Sequence, residues 1–216
     1  MPKHSGQINK KNKQTYKNLV NLMKDLDQKY SIKVGIIGED ASTQHSGTGL
    51  TNAELGAIHE FGATIQVTDK MKNYLHYHGI HLRDNTESIV IPTRSFLRMP
   101  LLSGEFKDYI LQKVGLYDAK DFGGGKKGAQ EAREMNLDQA LLKMQKEPKI
   151  MEKIANWVGA HALARVQEAF YTGGFGKWAQ ISYYTAKHRR GSASNPPLND
   201  TGELMDSITV EVKRVN

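Results

Sequence analysis

The sequence predicts an α+β fold: a small, mostly antiparallel sheet covered by long amphipathic helices, with an extended N-terminal arm and long loops. Two patterns support this class. Apolar residues recur at helical spacing over 12–28 and 150–170, as in helices that bury one face. Short apolar or alternating runs, at 31–38, 88–91 and 207–212, are typical of strands.

Composition limits the class of protein further. With 216 residues, the chain is long enough for one large domain. Its hydrophobic content of 38% and mean hydropathy of -0.57 are low for a compact globule, so we expect part of it to stay extended or to pack on a partner. The absence of cysteine excludes disulfides and thiolate metal sites. The sequence has no run of about 18 apolar residues, so no membrane-spanning helix is expected.

We predict a flexible basic arm at 1–11 and a single α+β domain at 12–216, with an insertion at 115–148. The arm is polar and shows no periodicity. The insertion contains, near its start, the run L-Y-D-A-K-D-F-G-G-G-K-K-G, whose glycines and charges are typical of a linker or hinge.

Local signals place the first elements. The helix at 12–28 is expected to cover a sheet that includes the strand at 31–38. Thr51 and Glu54 have capping-box spacing in T-N-A-E, so another helix is expected to begin there. Gly62 suits a left-handed end to that helix, and a strand at 63–67 follows.

The next elements are bounded by polar residues and prolines. A polar excursion at 68–83 precedes the strand at 88–91. Ser95 is expected to cap a helix that bends at Pro100 and runs through Val114. Near the end of the chain, Asp200 and Glu203 have capping-box spacing for a single helical turn.

No complete catalytic or cofactor motif is present. His59 and Glu60 suggest a metallopeptidase helix, but the second histidine that the motif needs falls on Ala63. The run H-Y-H-G-I-H makes a three-histidine zinc site at His76, His78 and His81 conceivable. It has no carboxylate nearby, so histidines in a polar or interfacial loop are the favoured interpretation. We therefore predict no enzyme, no cofactor and no metal ligand.

Positive charge offers an alternative function. The net charge is +7, and the positive residues are spread over the chain, with one run at 187–190. A basic nucleic-acid-binding module of a phage or mobile element is the alternative they suggest. Arg94 and Arg98 lie one helical turn apart and could grip a carboxylate or phosphate, although a solvated or intersubunit ion pair is the more ordinary interpretation.

Segments in a fixed order together resemble a known family. They are A-I-H-E-F-G-A-T-I at 57–65, I-P-T-R-S-F-L-R at 91–98, W-A-Q-I-S-Y-Y-T-A-K at 178–187 and P-P-L-N-D-T-G-E-L-M-D-S-I-T at 196–209. The chain resembles the tailed-bacteriophage virion morphogenesis proteins: the Mu-like G proteins and related minor tail and tail-completion proteins of the head–tail junction. The order and spacing of the segments carry the resemblance, because each alone is weak.

The resemblance implies a non-enzymatic virion structural protein that acts in tail completion or head–tail joining at the neck. It implies a homo-oligomeric ring, with a hexamer as one expected form, assembled in the host cytoplasm and located in the neck or tail of the virion. Expected partners are head-connector or stopper proteins and tail-terminator or tail-tube proteins. Non-specific contact with packaged DNA is a further expectation, and no membrane is expected.

Aromatic and arginine side chains are the candidates for contacts with neighbouring subunits, because these residue types are enriched at interface hot spots. Phe61 and Phe96 are expected to lie in the core. The interface candidates are Trp178, Tyr183, Phe175, Arg94 and Arg98.

Overall fold

The computed structural model describes residues 10–116, 137–192 and 194–215. The protein has an α+β fold that is 53% helical, with two separate two-stranded antiparallel sheets, which confirms the predicted fold class. In the part of the chain that is described, no helix has the length and apolar character needed to span a membrane. Most of the predicted arm and the central part of the predicted insertion, 1–9 and 117–136, lie outside the described residues.

The helices and strands follow one another in this order: α1 (Lys10–Lys29), β1 (Tyr30–Gly35), α2 (Glu39–Ser42), α3 (Asn52–Phe61), β2 (Ala63–Gln66), α4 (Asp69–Tyr77), β3 (Ser88–Ile91), α5 (Arg98–Leu101), α6 (Gly104–Leu116), α7 (Leu137–Lys146), α8 (Pro148–Thr172), α9 (Tyr183–His188), α10 (Glu203–Asp206) and β4 (Thr209–Arg214).

The chain forms two compact units. The first combines the chain up to Val34 with Leu102–Leu163 and the residues from Val210 onward. The second combines Gly35–Leu101 with Ala164–Thr209. That the chain from residue 12 onward folds as a single domain stays a prediction.

The core of the first unit is built from helical apolar stripes. On α1, Leu19, Leu22 and Leu26 are buried at spacings of three and four residues. They cluster with buried apolar side chains of α7 and α8: Leu141, Met144, Met151, Ile154 and Ala155. Ile32 of β1 and Val212 of β4 pack against this cluster, so the helices cover the β1–β4 sheet as expected.

A glycine allows α8 to approach that sheet closely. A Cβ atom on Gly159 would lie 2.8 Å from Val210 Cγ2 and 3.2 Å from Val212 Cγ2. These distances are shorter than ordinary packing contacts, so a larger residue would push the helix away from β4.

The second unit has an aromatic core. Phe96, Phe170 and Trp178 are buried, and their rings are in contact: centroids lie 5.2 Å apart for Phe96 and Phe170 and 5.8 Å apart for Phe170 and Trp178. The second pair is edge-to-face, a favourable arrangement for ring quadrupoles. Buried Leu204 and Ile208 belong to the same unit.

Helix α3 has the predicted capping box. The Thr51 hydroxyl accepts from the Glu54 N–H at 3.3 Å, and the Glu54 carboxylate accepts from the Thr51 N–H at 2.8 Å. Gly62 ends the helix with φ 77 and ψ 168. Its φ is positive as predicted, but its ψ is extended rather than left-handed helical, because the chain turns directly into β2.

Several local predictions were wrong. The polar excursion contains a helix, α4, capped by the Thr68 hydroxyl, which accepts from the Met71 N–H. The helix predicted from Ser95 through Val114 does not bend at Pro100; it divides into α5 and α6, and the Ser103 hydroxyl accepts from the Phe106 N–H at the start of the second.

Gly62→Ala should lower the free energy of unfolding by about 1–3 kcal/mol, because an L residue is strained at this φ and ψ. Its Cβ would also lie 3.0 Å from the Ile91 carbonyl oxygen. Urea denaturation followed by circular dichroism measures the change. Gly49→Ala is the control, since its Cβ meets nothing within 4 Å. Equal stability of the two variants would contradict the requirement for glycine at position 62.

Candidate functional site

The most densely bonded side chain of the second unit is Glu60, at the end of α3. It is only 3% exposed, yet its carboxylate receives hydrogen bonds from a turn more than thirty residues further along the chain. The donors are the Ser95 hydroxyl at 2.7 Å and the backbone N–H groups of Phe96, Leu97 and Arg98 at 2.8, 2.9 and 3.1 Å. Arg98 Nε also donates, at 2.9 Å. We call this set of contacts the Glu60 cluster.

The turn at 95–98 has donors to offer because it begins a helix. The first N–H groups of a helical turn have no partner within the helix, so they can donate to a carboxylate from elsewhere in the chain. The Ser95 hydroxyl accepts from the Met99 N–H at 3.0 Å, which closes the turn. The short segment S-F-L-R is therefore shaped around one anion.

Glu60 is held in its charged form. Burial alone would raise the pKa of this carboxyl, but hydrogen bonds from Leu97, Ser95 and Arg98 outweigh burial and lower the pKa below its ordinary value. A buried carboxylate with these donors is a structural anchor, since it has no proton to give at neutral pH.

Arg98 grips a carboxylate, as the sequence suggested, but one of its own chain. Besides the bond from Nε, its Nη2 donates to the Glu60 carbonyl at 3.1 Å. The guanidinium lies over the ring of Phe61, 4.4 Å from the ring centroid. Phe61 is 62% exposed, so its predicted place in the core was wrong: it is the last residue of α3 and faces outward.

The segment at 178–187 contacts the same turn at 95–98. Trp178 Nε1 donates to the Ser95 carbonyl at 3.3 Å. Arg94 donates from Nε to the Ala179 carbonyl at 3.0 Å and from Nη2 to the Gln180 carbonyl at 3.5 Å. The structure therefore brings together A-I-H-E-F-G, T-R-S-F-L-R and W-A-Q, which the sequence separates widely.

These contacts correct two of the interface candidates. Trp178 is 5% exposed and Arg94 is 6% exposed, and both are bonded within the chain. Neither is free to contact a neighbouring subunit. Trp178 is buried because the glycine turn beside it, with φ 68 at Gly174, leaves no Cβ in the space that the indole fills.

The remaining candidates are closer to the surface. Tyr183 is 83% exposed at the first position of α9, which Ser182 caps. Phe175 is half-buried, with φ 56, and the Arg165 guanidinium lies 4.0 Å from its ring centroid. Arg98 is half-exposed beside Phe61. Their role in contacts between subunits stays a prediction.

A cleft of about 440 Å³ lies elsewhere in the second unit. Its lining includes His45, Ser46, His59, His188, Arg190 and Asp200. The Ser46 hydroxyl donates to the Glu203 carboxylate, and Arg190 Nη1 donates to the same hydroxyl at 3.0 Å. Hydrogen bonds from Ser46 hold the pKa of Glu203 below its ordinary value.

This arrangement does not activate Ser46 as a nucleophile, since a nucleophilic hydroxyl needs a base that takes its proton. The base that the Ser46 hydroxyl contacts is Glu203, and the lowered pKa of this carboxyl makes it a weak base. The contacts join two loops. They also overturn the predicted capping box: Glu203 binds Ser46, and Asp200 accepts from Arg190 and Gly191.

His59 borders the cleft with an unusual ring. Its Nδ1 is buried without a hydrogen-bond partner. Burial first, and then the charges of Arg94 and His45, lower the pKa of His59 to about 4. The imidazole is therefore neutral at physiological pH.

The three histidines of H-Y-H-G-I-H do not converge on one point. His76 Nδ1 and His81 Nδ1 lie 2.9 Å apart, whereas His78 Nδ1 contacts the Tyr74 carbonyl at 2.8 Å. Across the described residues, no group of three or more His, Cys, Asp or Glu side chains is placed to hold a metal ion.

Scans against models of known protein families, against curated proteins and against solved structures return no match. The resemblance to phage virion morphogenesis proteins stays a prediction.

Sequence reasoning missed the role of Glu60. The buried residues of α3 are Asn52, Gly56 and Glu60, at a strict spacing of four. This stripe is polar and small, so a search for apolar periodicity selects Leu55 and Ile58 instead. Gly56 was the available signal, because a glycine inside a helix marks a close approach, here of Ile36 and Phe96.

Glu60→Gln should lower the free energy of unfolding at neutral pH by about 3 kcal/mol or more, because the amide turns a donor toward buried N–H groups. Since the pKa of Glu60 is lowered on folding, the wild-type advantage exists above pH 4.5 and is lost as pH falls further. Urea denaturation between pH 3 and 7 measures it. Glu87→Gln, at an exposed carboxylate, is the control and should change the free energy of unfolding little. An equally small change for Glu60→Gln would contradict the role of Glu60 as an anchor.

His59→Leu should flatten the pH dependence of stability in a different range. The unfolded histidine takes up a proton near pH 6.5 and the folded one only near 4, so the wild type loses on the order of 2–3 kcal/mol as pH falls across that interval. The variant should not show that loss. His188→Ala, at an exposed histidine, should keep the wild-type slope; parallel curves for all three proteins would contradict the burial of His59 as a neutral ring.

Proposed function

We propose that the protein is a non-enzymatic structural subunit of a tailed-bacteriophage virion, acting in tail completion or head–tail joining as a homo-oligomeric ring. One observation carries the proposal: three of the four segments that give the resemblance, at 57–65, 91–98 and 178–187, lie far apart in the sequence but meet around the Glu60 cluster. Because these segments hydrogen-bond to one another, we interpret the sequence pattern as the signature of a structural scaffold.

The chemistry of the meeting point supports a structural role. Glu60, Arg94 and Arg98 all use their charged groups on partners within the chain. The Glu60 cluster leaves no carboxylate of high pKa and no hydroxyl next to a free base, which acid–base or nucleophilic catalysis requires.

The surface of the second unit supports self-association. Its exposed large hydrophobic residues are Phe61, Ile65, Tyr74, Tyr77, Val90, Tyr171 and Tyr183. Tyrosine is enriched at interface hot spots, so the exposed tyrosines among them are candidates for contacts with a neighbouring subunit. A closed ring uses two different faces of each subunit, so contacts of this kind are needed in more than one place.

The sheet formed by β2 and β3 is one such place. Its register pairs Ala63 with Ile91 and Ile65 with Ile89, and none of its residues is buried. A two-stranded sheet whose residues are at most half-buried is marginally stable in water, and its free edges can pair with another chain. A neighbouring subunit would supply the missing cover.

In this proposal the subunit acts in the neck or tail of the virion, assembled in the host cytoplasm. Its neighbours are head-connector or stopper proteins on one side and tail-terminator or tail-tube proteins on the other. The nucleic-acid alternative is less favoured, because two members of its basic run bind within the chain: Arg189 contacts Asp200, and Arg190 contacts Ser46.

The wild-type protein should form a cyclic oligomer, visible by sedimentation velocity and negative-stain microscopy. Tyr183→Asp should weaken assembly about thirtyfold if this exposed ring is an interface hot spot. Tyr16→Asp, at a tyrosine of the first unit that is 59% exposed, is the matched control. A wild-type protein that stays monomeric at its highest soluble concentration, with DNA binding that falls steeply with salt, would favour the nucleic-acid alternative.

A further inference from the structure

The end of α4 folds back on itself in a way that brings two histidines together. The Gly79 N–H donates to the His76 carbonyl at 2.9 Å, and the Ile80 N–H donates to the Leu75 carbonyl at 2.8 Å. With φ 78 at Gly79, these two bonds form a Schellman motif. The residue that follows it, His81, is thereby returned to the last turn of the helix.

The two imidazoles meet through the same ring atom. His76 Nδ1 and His81 Nδ1 lie 2.9 Å apart, and the ring centroids are 4.5 Å apart at an interplanar angle of 76°. Each neutral imidazole has one lone pair, so one ring donates to the other when no ligand is present. Both rings are exposed, which leaves them free to rotate toward a common third atom.

The neighbouring contacts separate His78 from this pair. His78, between the two, turns away: its Nδ1 contacts the Tyr74 carbonyl at 2.8 Å, and its own carbonyl accepts from the Tyr184 hydroxyl at 2.9 Å. The position at the C-terminal end of α4 carries the negative end of the helix dipole, which favours a cation.

We propose that His76 and His81 form a two-histidine binding site for a divalent transition-metal ion of the nickel and copper class. Metal–imidazole bonds are about 2.0–2.1 Å long, so nitrogens 2.9 Å apart subtend about 90° at the ion. That is the angle between neighbouring ligands in square-planar and octahedral geometry. Water completes the coordination sphere.

This site does not depend on the proposed virion role, because it is built from one α-helix end and its loop. It also differs from the three-histidine zinc site considered above. His78 is excluded by its own hydrogen bond, which leaves a pair of histidines in place of a triad.

Isothermal titration of the untagged full-length protein with NiCl₂ tests the proposal. The wild type should bind one Ni²⁺ per chain, and both His76→Ala and His81→Ala should bind about tenfold more weakly or worse. His78→Ala is the matched control: it removes a neighbouring histidine but leaves the pair, so it should keep wild-type affinity. Circular dichroism spectra of all four proteins confirm that they are folded.

Three results would overturn the proposal: no saturable Ni²⁺ binding by the wild type, equal losses in all three alanine variants, or a loss confined to His78→Ala.

Discussion

The structure of the second unit depends on one buried anion. Glu60 lies at the end of α3, and its carboxylate satisfies the N–H groups that open the turn at 95–98. Because that turn is fixed, Phe96 enters the aromatic core, and the Ser95 carbonyl is presented to Trp178. A buried carboxylate costs several kcal/mol of desolvation unless its lone pairs are all used, so the surrounding sequence has little freedom.

The fold class and the long elements could be predicted because they follow local rules. Helices α1 and α8 carry apolar stripes, the strands are β-branched, and the Thr51 capping box needs only four residues. Helix α4 escaped prediction because it is polar and none of its residues is buried. Its start was marked only by Thr68.

The site was less predictable, because its bonds join residues far apart in the chain. Glu60 and Arg98 meet across 38 positions, and Arg94 and Ala179 across 85. Local sequence patterns do not predict hydrogen bonds between residues so far apart in the chain. Asp200 and Glu203 show the same limit: their spacing fits a cap, yet distant partners, among them Ser46, supply better hydrogen bonds. Trp178 looked like a surface aromatic in a glycine-rich loop, but those glycines make the space that buries it.

The ladder between β2 and β3 brings together the two ends of the segment that contains α4. Gln66 pairs with Ser88, and the Val67 N–H donates to the Glu87 carbonyl at 2.8 Å, so the ends of the intervening segment are clamped side by side. The entropy of closing a loop grows only with the logarithm of its length. A change in the length of the α4 segment therefore costs little in loop-closure entropy. A different segment between β2 and β3 would therefore place a different surface at the same position of the fold.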